Sequence, residues 1–175
     1  MSDSIVIIPT YRESENIEKI IRKVFSLPRS FHILIIDDNS PDGTADIVKG
    51  LMEEFPRSLF MVQRAGKLGL GTAYICGFKW AIEHKYDFIF EMDADFSHDP
   101  SYLGRLSEAL TAEGVGAAED MAVGSRYVPG GGIEGWPFLR KLVSGAGNFY
   151  ARLILGGVNS KYRVRDFTSG FIGMK

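Results

Sequence analysis

The sequence predicts an α/β domain: a mostly parallel β-sheet with helices on both faces. Three observations predict it. Apolar runs of strand length recur four or five times, and segments with helical spacing separate them. The first two runs are apolar throughout rather than alternating, as expected of strands buried on both faces. Polar, turn-forming clusters follow the runs, at the edge where such sheets hold ligands.

The elements follow in order. "SIVIIPTY" (Ser4 to Tyr11) reads as the first buried strand. Ile17, Ile20, Ile21, Val24 and Phe25 make a helical stripe that Leu27-Pro28 stops. "HILII" (His32 to Ile36) is the second strand, and "DDNSPDGT" is turn chemistry punctuated by Pro41 and Gly43. Ile47, Val48, Leu51, Met52 and Phe55 mark the second helix, and "LFMV" (Leu59 to Val62) the third strand. The glycine loop "AGKLGLG" leads into a helix from about Thr72 to His84. Phe88 to Met92 is the fourth strand. Pro100 suits the first turn of a helix with Leu103, Leu106 and Leu110 inside. "MAVGSRY" reads as a fifth strand, "PGGG" (Pro129 to Gly132) as a loop, Phe138 to Leu155 as a helix and "SGFIGMK" as a last strand.

The chain has 175 residues, 45% hydrophobic and 24% charged, which suits one soluble domain with a real core. No run approaches the roughly 18 apolar residues of a membrane span, and no signal peptide is visible. Cys76 is the single cysteine, so a disulfide framework and a cysteine metal site are excluded. A reducing, cytoplasmic setting fits. Charge is uneven: residues 1–120 carry −8 and residues 121–175 carry +6. The basic segment suits an anionic partner, or is a solvated charge mixture.

Four strand ends carry polar clusters: "PTYRE", "DDNSPDGT", "DADFSHD" and "GSRY". The first is not G-x-G-x-x-G, and "GKLGLGTAY" is not a Walker phosphate loop. No G-x-S-x-G or Cys/His pair offers a nucleophile. His32, His84 and His98 are scattered and read as structural or surface residues. What remains is acidic. Glu91, Asp93 and Asp95 alternate along extended backbone and share one side. Asp93 and Asp95 flank only Ala94, whose small side chain lets a ligand approach. A divalent cation would relieve their repulsion and then bind a diphosphate; otherwise they form a solvated turn, with Asp99 as an N-cap. Asp37 and Asp38 close a turn, or one of them accepts hydrogen bonds from a base or ribose. Tyr11 and Glu13 do similar work or simply pack.

"PTYRE", "IIDDNSPDGT", "KLGLGTAYICGF", "MDADFSHDP" and "GSRYV", in that order, resemble the family-2 glycosyltransferases of GT-A fold, and among them the dolichol-phosphate (polyprenol-phosphate) mannose synthases. The resemblance covers essentially the whole chain. It implies a GDP-mannose donor, Mg²⁺ or Mn²⁺, and a polyprenyl-phosphate acceptor at the cytoplasmic face of a membrane, with peripheral attachment and no nucleic acid. It implies a nucleotide pocket of Pro9, Tyr11, Glu13, Ile36, Asp38 and Lys67, and a diphosphate–metal element of Asp93, Ala94 and Asp95. Ser97 stands where many relatives place a Gln metal ligand. Arg126 matches a phosphate-binding arginine. Arg140, Lys141 and Ser144, with Asn148 beyond, match the segment that receives the acceptor phosphate. Asp95, Arg126, Arg140 and Ser144 are then the catalytic set, and Glu91 lies deeper as a structural residue.

The expected organisation is a single catalytic domain over 1–175, with 1–125 holding the nucleotide sugar and 126–175 facing the acceptor. Relatives continue past "TSGF", so the chain reads as C-terminally truncated. The segment Phe138 to Leu155 packs on the domain, or lies on a membrane surface through Phe149, Tyr150 and Leu153. A homo-oligomer or a membrane-anchoring partner would cover its apolar side. A phosphate monoester is ionised at neutral pH, so transfer to it needs no general base. The rival readings are a UDP-sugar enzyme of the same fold and a receiver-like signalling module, which would want its acidic pair after the first strand.

Overall fold

The structure, a computed structural model, describes residues 3–111, 119–128, 138–155 and 166–175, with backbone alone at 138–142, 152 and 155. The "PGGG" loop therefore lies outside the described residues. The chain falls into two compact units, Met1–Ala122 with Phe171–Lys175, and Val123–Gly170.

The first unit is built on β1 (Ser4–Thr10), α1 (Ile17–Phe25), β2 (His32–Asp37), α2 (Thr44–Glu54), β3 (Leu59–Gln63), α3 (Leu70–Glu83), β4 (Phe88–Glu91), α4 (Leu103–Thr111), β5 (Met121–Val123) and, after the second unit, β6 (Ile172–Met174). The sheet order is β3-β2-β1-β4-β6-β5. β1 runs parallel to β2, from Ile5 opposite His32 to Thr10 opposite Asp37, and parallel to β4 on its other side. β2 runs parallel to β3, and β6 is antiparallel to β4.

Ile5 to Ile8 and Ile33 to Ile36 are fully buried, which explains why both runs are apolar without alternation. The pleat divides them. Val6, Ile8, Ile33 and Ile35 meet Ile20 and Val24 of α1, Val48 and Leu51 of α2, and Leu106 and Leu110 of α4. Ile5, Ile7, Leu34 and Ile36 meet Ala73, Tyr74 and Ala81 of α3 on the other face. From β1 the chain moves outward to β2 and β3, then returns through α3 to β4 on β1's free side. That reversal makes the carboxyl ends of β1 and β4 a topological switch point, where α/β sheets open a crevice.

Three boundaries differ from the sequence expectation. α2 begins at Thr44 rather than Ile47, because Gly43 turns the chain at φ 85° and Asp42 accepts from the Thr44 amide at 3.2 Å. α3 begins at Leu70, after Gly69 at φ 99°. β5 ends at Val123, so "GSRY" is not strand: the amides of Arg126 and Tyr127 donate to the side chains of Asp166 and Ser125 rather than to a ladder. Asp99 does cap the turn Pro100–Tyr102, accepting from the Ser101 amide at 2.9 Å.

α3 lies close on β1 at Gly77. A Cβ there would stand 2.6 Å from Cγ2 and 2.9 Å from Cδ1 of Ile7, which is fully buried and has nowhere to retreat. Gly77→Ala gains about 1 kcal/mol of helix propensity but overpacks the core at a cost of up to about 3 kcal/mol, for a net loss of about 1–2 kcal/mol. Urea unfolding should show the midpoint falling with the slope unchanged; an unchanged midpoint would show that Ile7 yields at no cost.

Candidate functional site

The crevice is a cleft of about 300 Å³ lined by Pro9, Thr10, Tyr11, Glu13, Asp38, Lys67, Gly69, Leu70, Ala73, Asp93, Ala94 and Asp95. Every expected nucleotide-pocket residue is among them except Ile36, whose side chain is buried in the core with α3. Among the described residues, no group of three His, Cys, Asp or Glu side chains encloses one point.

The loops after β1 and β2 are joined by side chains of "DDNSPDGT". Asp37, fully buried, accepts from Thr10 Oγ1 at 3.0 Å, the Ser40 amide at 3.0 Å and Ser40 Oγ at 2.6 Å. The amides of Arg12, Glu13 and Ser14 then donate to Ser40 Oγ, Thr44 Oγ1 and Asp42 Oδ2. Three consecutive backbone donors, which no strand could serve, find partners this way. The Thr44 hydroxyl and the Ser14 amide hold the Asp42 carboxyl well below the usual carboxylate range, against slight desolvation. Asp37 and Asp42 are thus structural, and Asp38 is the acid of this loop that reaches the cleft.

Asp38 Oδ1 accepts from Nε of Arg64, and each side chain is only 9% exposed. Sequence reasoning missed Arg64. The signal was the register: Asp37 pairs with Gln63, so the next residue on each strand faces the other. It becomes readable only once β2 and β3 are known to be neighbours. Across the cleft, Lys67 Nζ sits 4.4 Å from the Tyr11 ring centroid, a cation–π contact that joins the "KLGLG" loop to the first strand end.

Asp93 and Asp95 follow β4 in a loop. Asp93 Oδ1 accepts from the Tyr74 hydroxyl at 3.3 Å, and Oδ2 lies 3.5 Å from Nε2 of His98, itself stacked on Phe171. Both partners escaped the sequence reading, which had set His98 aside. Asp95 is exposed, and Oδ1 accepts from the Ser97 amide at 2.9 Å. Ser97 is exposed beside it. Negative charge accumulates here. Burial pushes the Glu13 carboxyl up; Asn16 opposes this, and Asp95, Asp42 and Asp93 add to it. Burial, then Asp93, raises Glu91 to about 7. Glu91 is half-buried at the end of β4, as expected of a deeper residue. Asp93, Asp95 and Ser97 are hard oxygen donors, a set whose chemistry fits Mg²⁺ or Mn²⁺ when diphosphate and water supply the remaining ligands.

The second unit carries the acceptor-side candidates, on the loop at 124–128, α5 (Phe138–Leu155) and 166–170. Arg126 donates from Nε and Nη2 to Oδ2 and Oδ1 of Asp166 at 2.7 and 2.8 Å, and from Nη2 to Thr168 Oγ1 at 2.7 Å. Burial pushes Asp166 up, but the Arg126 side chain and amide outweigh it and hold the carboxyl at about 2. Asn148 accepts from the Phe167 amide and donates to Thr168 Oγ1, tying α5 to this pair. Ser144 Oγ lies 3.0 Å from the Tyr127 hydroxyl. The side chains of Arg140 and Lys141 lie outside the described residues. α5 exposes Val143, Phe149, Tyr150, Leu153 and Ile154.

The chain belongs to the glycosyl transferase family 2, whose family model matches residues 5–174. It is 42% identical over 168 residues to the polyprenol monophosphomannose synthase of Mycolicibacterium smegmatis, covering 96% of this chain and 60% of that one. It is 36% identical over 172 residues to the dolichol-phosphate mannosyltransferase of Pyrococcus furiosus, covering 97% of this chain and 45% of that one. The chain thus spans just under half to three fifths of the length of these relatives. Among solved structures, S. aureus TarS 1–349 in complex with UDP superposes with a TM-score of 0.53 at 22% identity, over 64% of this chain and 32% of that chain, which supports the GT-A fold.

Glu91 makes the first unit sensitive to pH. Its carboxyl ionises near 7 in the fold and near 4.5 when exposed, so the folded state holds an extra proton between those values. Its contribution is fully present below about 4.5 and lost as pH rises through about 7. Melting temperatures of wild type and Glu91→Gln, measured from pH 4.5 to 8, should diverge in favour of the variant as pH rises. Parallel curves would place the Glu91 carboxyl in water.

Proposed function

From that family membership, we propose that the chain is the catalytic part of a glycosyltransferase that moves mannose from GDP-mannose to a polyprenyl phosphate such as dolichyl phosphate, with inversion at the anomeric carbon. The observation that carries this reading is the meeting of Asp38, Lys67, Asp93 and Asp95, from three separate segments, in one cleft of a chain 42% identical to a polyprenol monophosphomannose synthase.

Asp38, Tyr11 and Glu13 take the nucleoside, and Lys67 closes over it from the α3 side. Ala94 leaves room for the diphosphate between the two acids. A Mg²⁺ or Mn²⁺ ion held by Asp93, Asp95 and Ser97 supplies, when bound, the charge neutralisation that a diphosphate leaving group needs. The acceptor oxygen attacks the anomeric carbon, its bond to carbon forms as the bond to GDP breaks, and no proton has to be removed because the phosphate is already ionised. Arg126, Arg140 and Ser144 orient the acceptor phosphate; arginine suits the task because its fork matches phosphate oxygens. No helix among the described residues is long and apolar enough to cross a membrane. The acceptor is a lipid, so the protein works at a membrane surface, from the cytoplasmic side, and the apolar residues exposed on α5 suit that contact.

Calorimetric titration with GDP-mannose and with UDP-glucose, at fixed Mg²⁺, tests the donor, and transfer of labelled mannose to a polyprenyl phosphate tests the reaction. GDP-mannose should bind and UDP-glucose should not. Binding should weaken by about tenfold or more when the metal is chelated, and Asp95→Ala should abolish that metal dependence, as expected for loss of a charged ligand. A preference for UDP-glucose moves the chain to another donor; metal-independent binding that Asp95→Ala leaves untouched removes Asp95 from the site.

A further inference from the structure

Arg64 has one of the most completely used side chains in the first unit, although it is not among the residues that line the cleft. Its Nε donates to Asp38 Oδ1, its Nη1 to Thr72 Oγ1 at 2.8 Å and its Nη2 to the Gly69 carbonyl at 3.4 Å. The Thr72 hydroxyl in turn donates to the carbonyl of Gly69 at 2.7 Å or of Leu68 at 3.0 Å. One guanidinium therefore spans the acid at the end of β2 and the glycine turn that opens α3. Both walls of the cleft hang on it, since Asp38 lines one side and Lys67, Gly69 and Leu70 line the other. The Arg64 amide is fixed as well, donating to the Asp37 carbonyl at 2.7 Å.

We propose that Arg64 is the positioning residue that gives the cleft its base preference, by holding the Asp38 carboxylate in one orientation against the "KLGLG" wall. The inference rests on the nucleotide-sugar reading above. Arg64 occupies Oδ1 and Asp38 lines the cleft, which leaves Oδ2 as the acceptor for a ligand there. An ionised carboxylate is an acceptor only. A fixed acceptor favours an edge that presents neighbouring donors. Guanine presents N1–H beside its N2 amino group. Uracil presents one N–H between two carbonyl oxygens, which the carboxylate repels. An Asp38 side chain free to rotate would lose that distinction, because it could turn its charge away from the carbonyls. The contacts of Arg64 with Thr72 and Gly69 set the width of the slot in which the base edge meets Oδ2.

The test is the ratio of GDP to UDP affinity, measured with Mg²⁺ on Arg64→Lys, Thr72→Val and Asp38→Asn, singly and with Arg64→Lys combined with Asp38→Asn. Wild type should prefer GDP by about tenfold or more, the scale of a hydrogen bond to a charged group. Arg64→Lys keeps the charge but loses the fork, and should bring the ratio towards one, mostly by weakening GDP. Thr72→Val, at an exposed position that tolerates the change, should lower the ratio several-fold with an unaltered melting temperature. In the Asp38→Asn background, Arg64→Lys should add little, because the two act as one unit. A ratio unchanged in Thr72→Val and in any folded Arg64→Lys, or losses that multiply independently, would overturn the proposal. Equal binding of GDP and UDP by wild type would also overturn it, while mannose transfer would still decide the reaction. Wild-type protein that binds neither diphosphate would overturn both.

Discussion

Asp37 is fully buried at the end of β2, and its carboxylate accepts three hydrogen bonds, one from Thr10 at the end of β1 and two from Ser40. A buried carboxylate without such partners would cost several kcal/mol. With them, it fastens two neighbouring strand ends and fixes where the following loops start. Ser40, held by Asp37, takes the Arg12 amide; Asp42 and Thr44 take the next two. Arg12 sits in left-handed backbone at φ 64°, a cost that the bond from its amide to Ser40 helps to offset, and Asn39 follows at φ 57°, a conformation its residue type tolerates. The cleft inherits its floor from this arrangement. Pro9, Tyr11, Glu13 and Asp38 are carried on backbone that these bonds have already placed.

The acids of the cleft fall into two groups by their partners, and the difference sets their chemistry. Asp38 is matched by Arg64, and Asp93 is held by Tyr74 and His98. Asp95, by contrast, has only the Ser97 amide among the described residues, and Glu13 and Glu91 are pushed upward by burial and by their acidic neighbours. Carboxylates that raise one another's proton affinity need a proton or a cation. Lys67 is directed at the Tyr11 ring rather than at this group. The cost shows at Glu13 and Glu91, and a metal–diphosphate unit of the proposed donor would offset it.

Most of the first unit was legible in the sequence because local rules and the global fold agree there. α1 runs from Ile17 to Phe25 as its stripe predicts, and three of the four polar clusters expected on one edge, those after β1, β2 and β4, line one cleft. What the sequence hid was pairing. "DD" at Asp37 and Asp38 left open which acid turns the chain and which faces a ligand; the pleat decides it, sending one into the β1–β2 seam and the next toward Arg64. Arg64 could not be assigned without the order β3-β2-β1. "GSRY" read as strand because its apolar lead-in, "MAV", is strand, yet its amides are claimed by side chains 40 residues away and next door. Periodicity carries no information about such partners.

Arg126 shows how a correct residue type can still have an unexpected neighbour. Resemblance offers it as a phosphate-binding arginine, but its fork is engaged by Asp166, whose side chain is fully buried and accepts two charge-assisted bonds from it. The pair sums to no net charge. Any attraction for an anion at a distance therefore falls on the other basic residues of 121–175, a segment that carries +6. What the pair can add is direction. Asp166, Thr168 and Asn148 lock the guanidinium against α5 and the 166–168 turn, so the arginine loses little entropy on meeting an oxyanion. Charge and orientation, which a sequence motif reports as one residue, are divided here between the segment as a whole and a single buried pair.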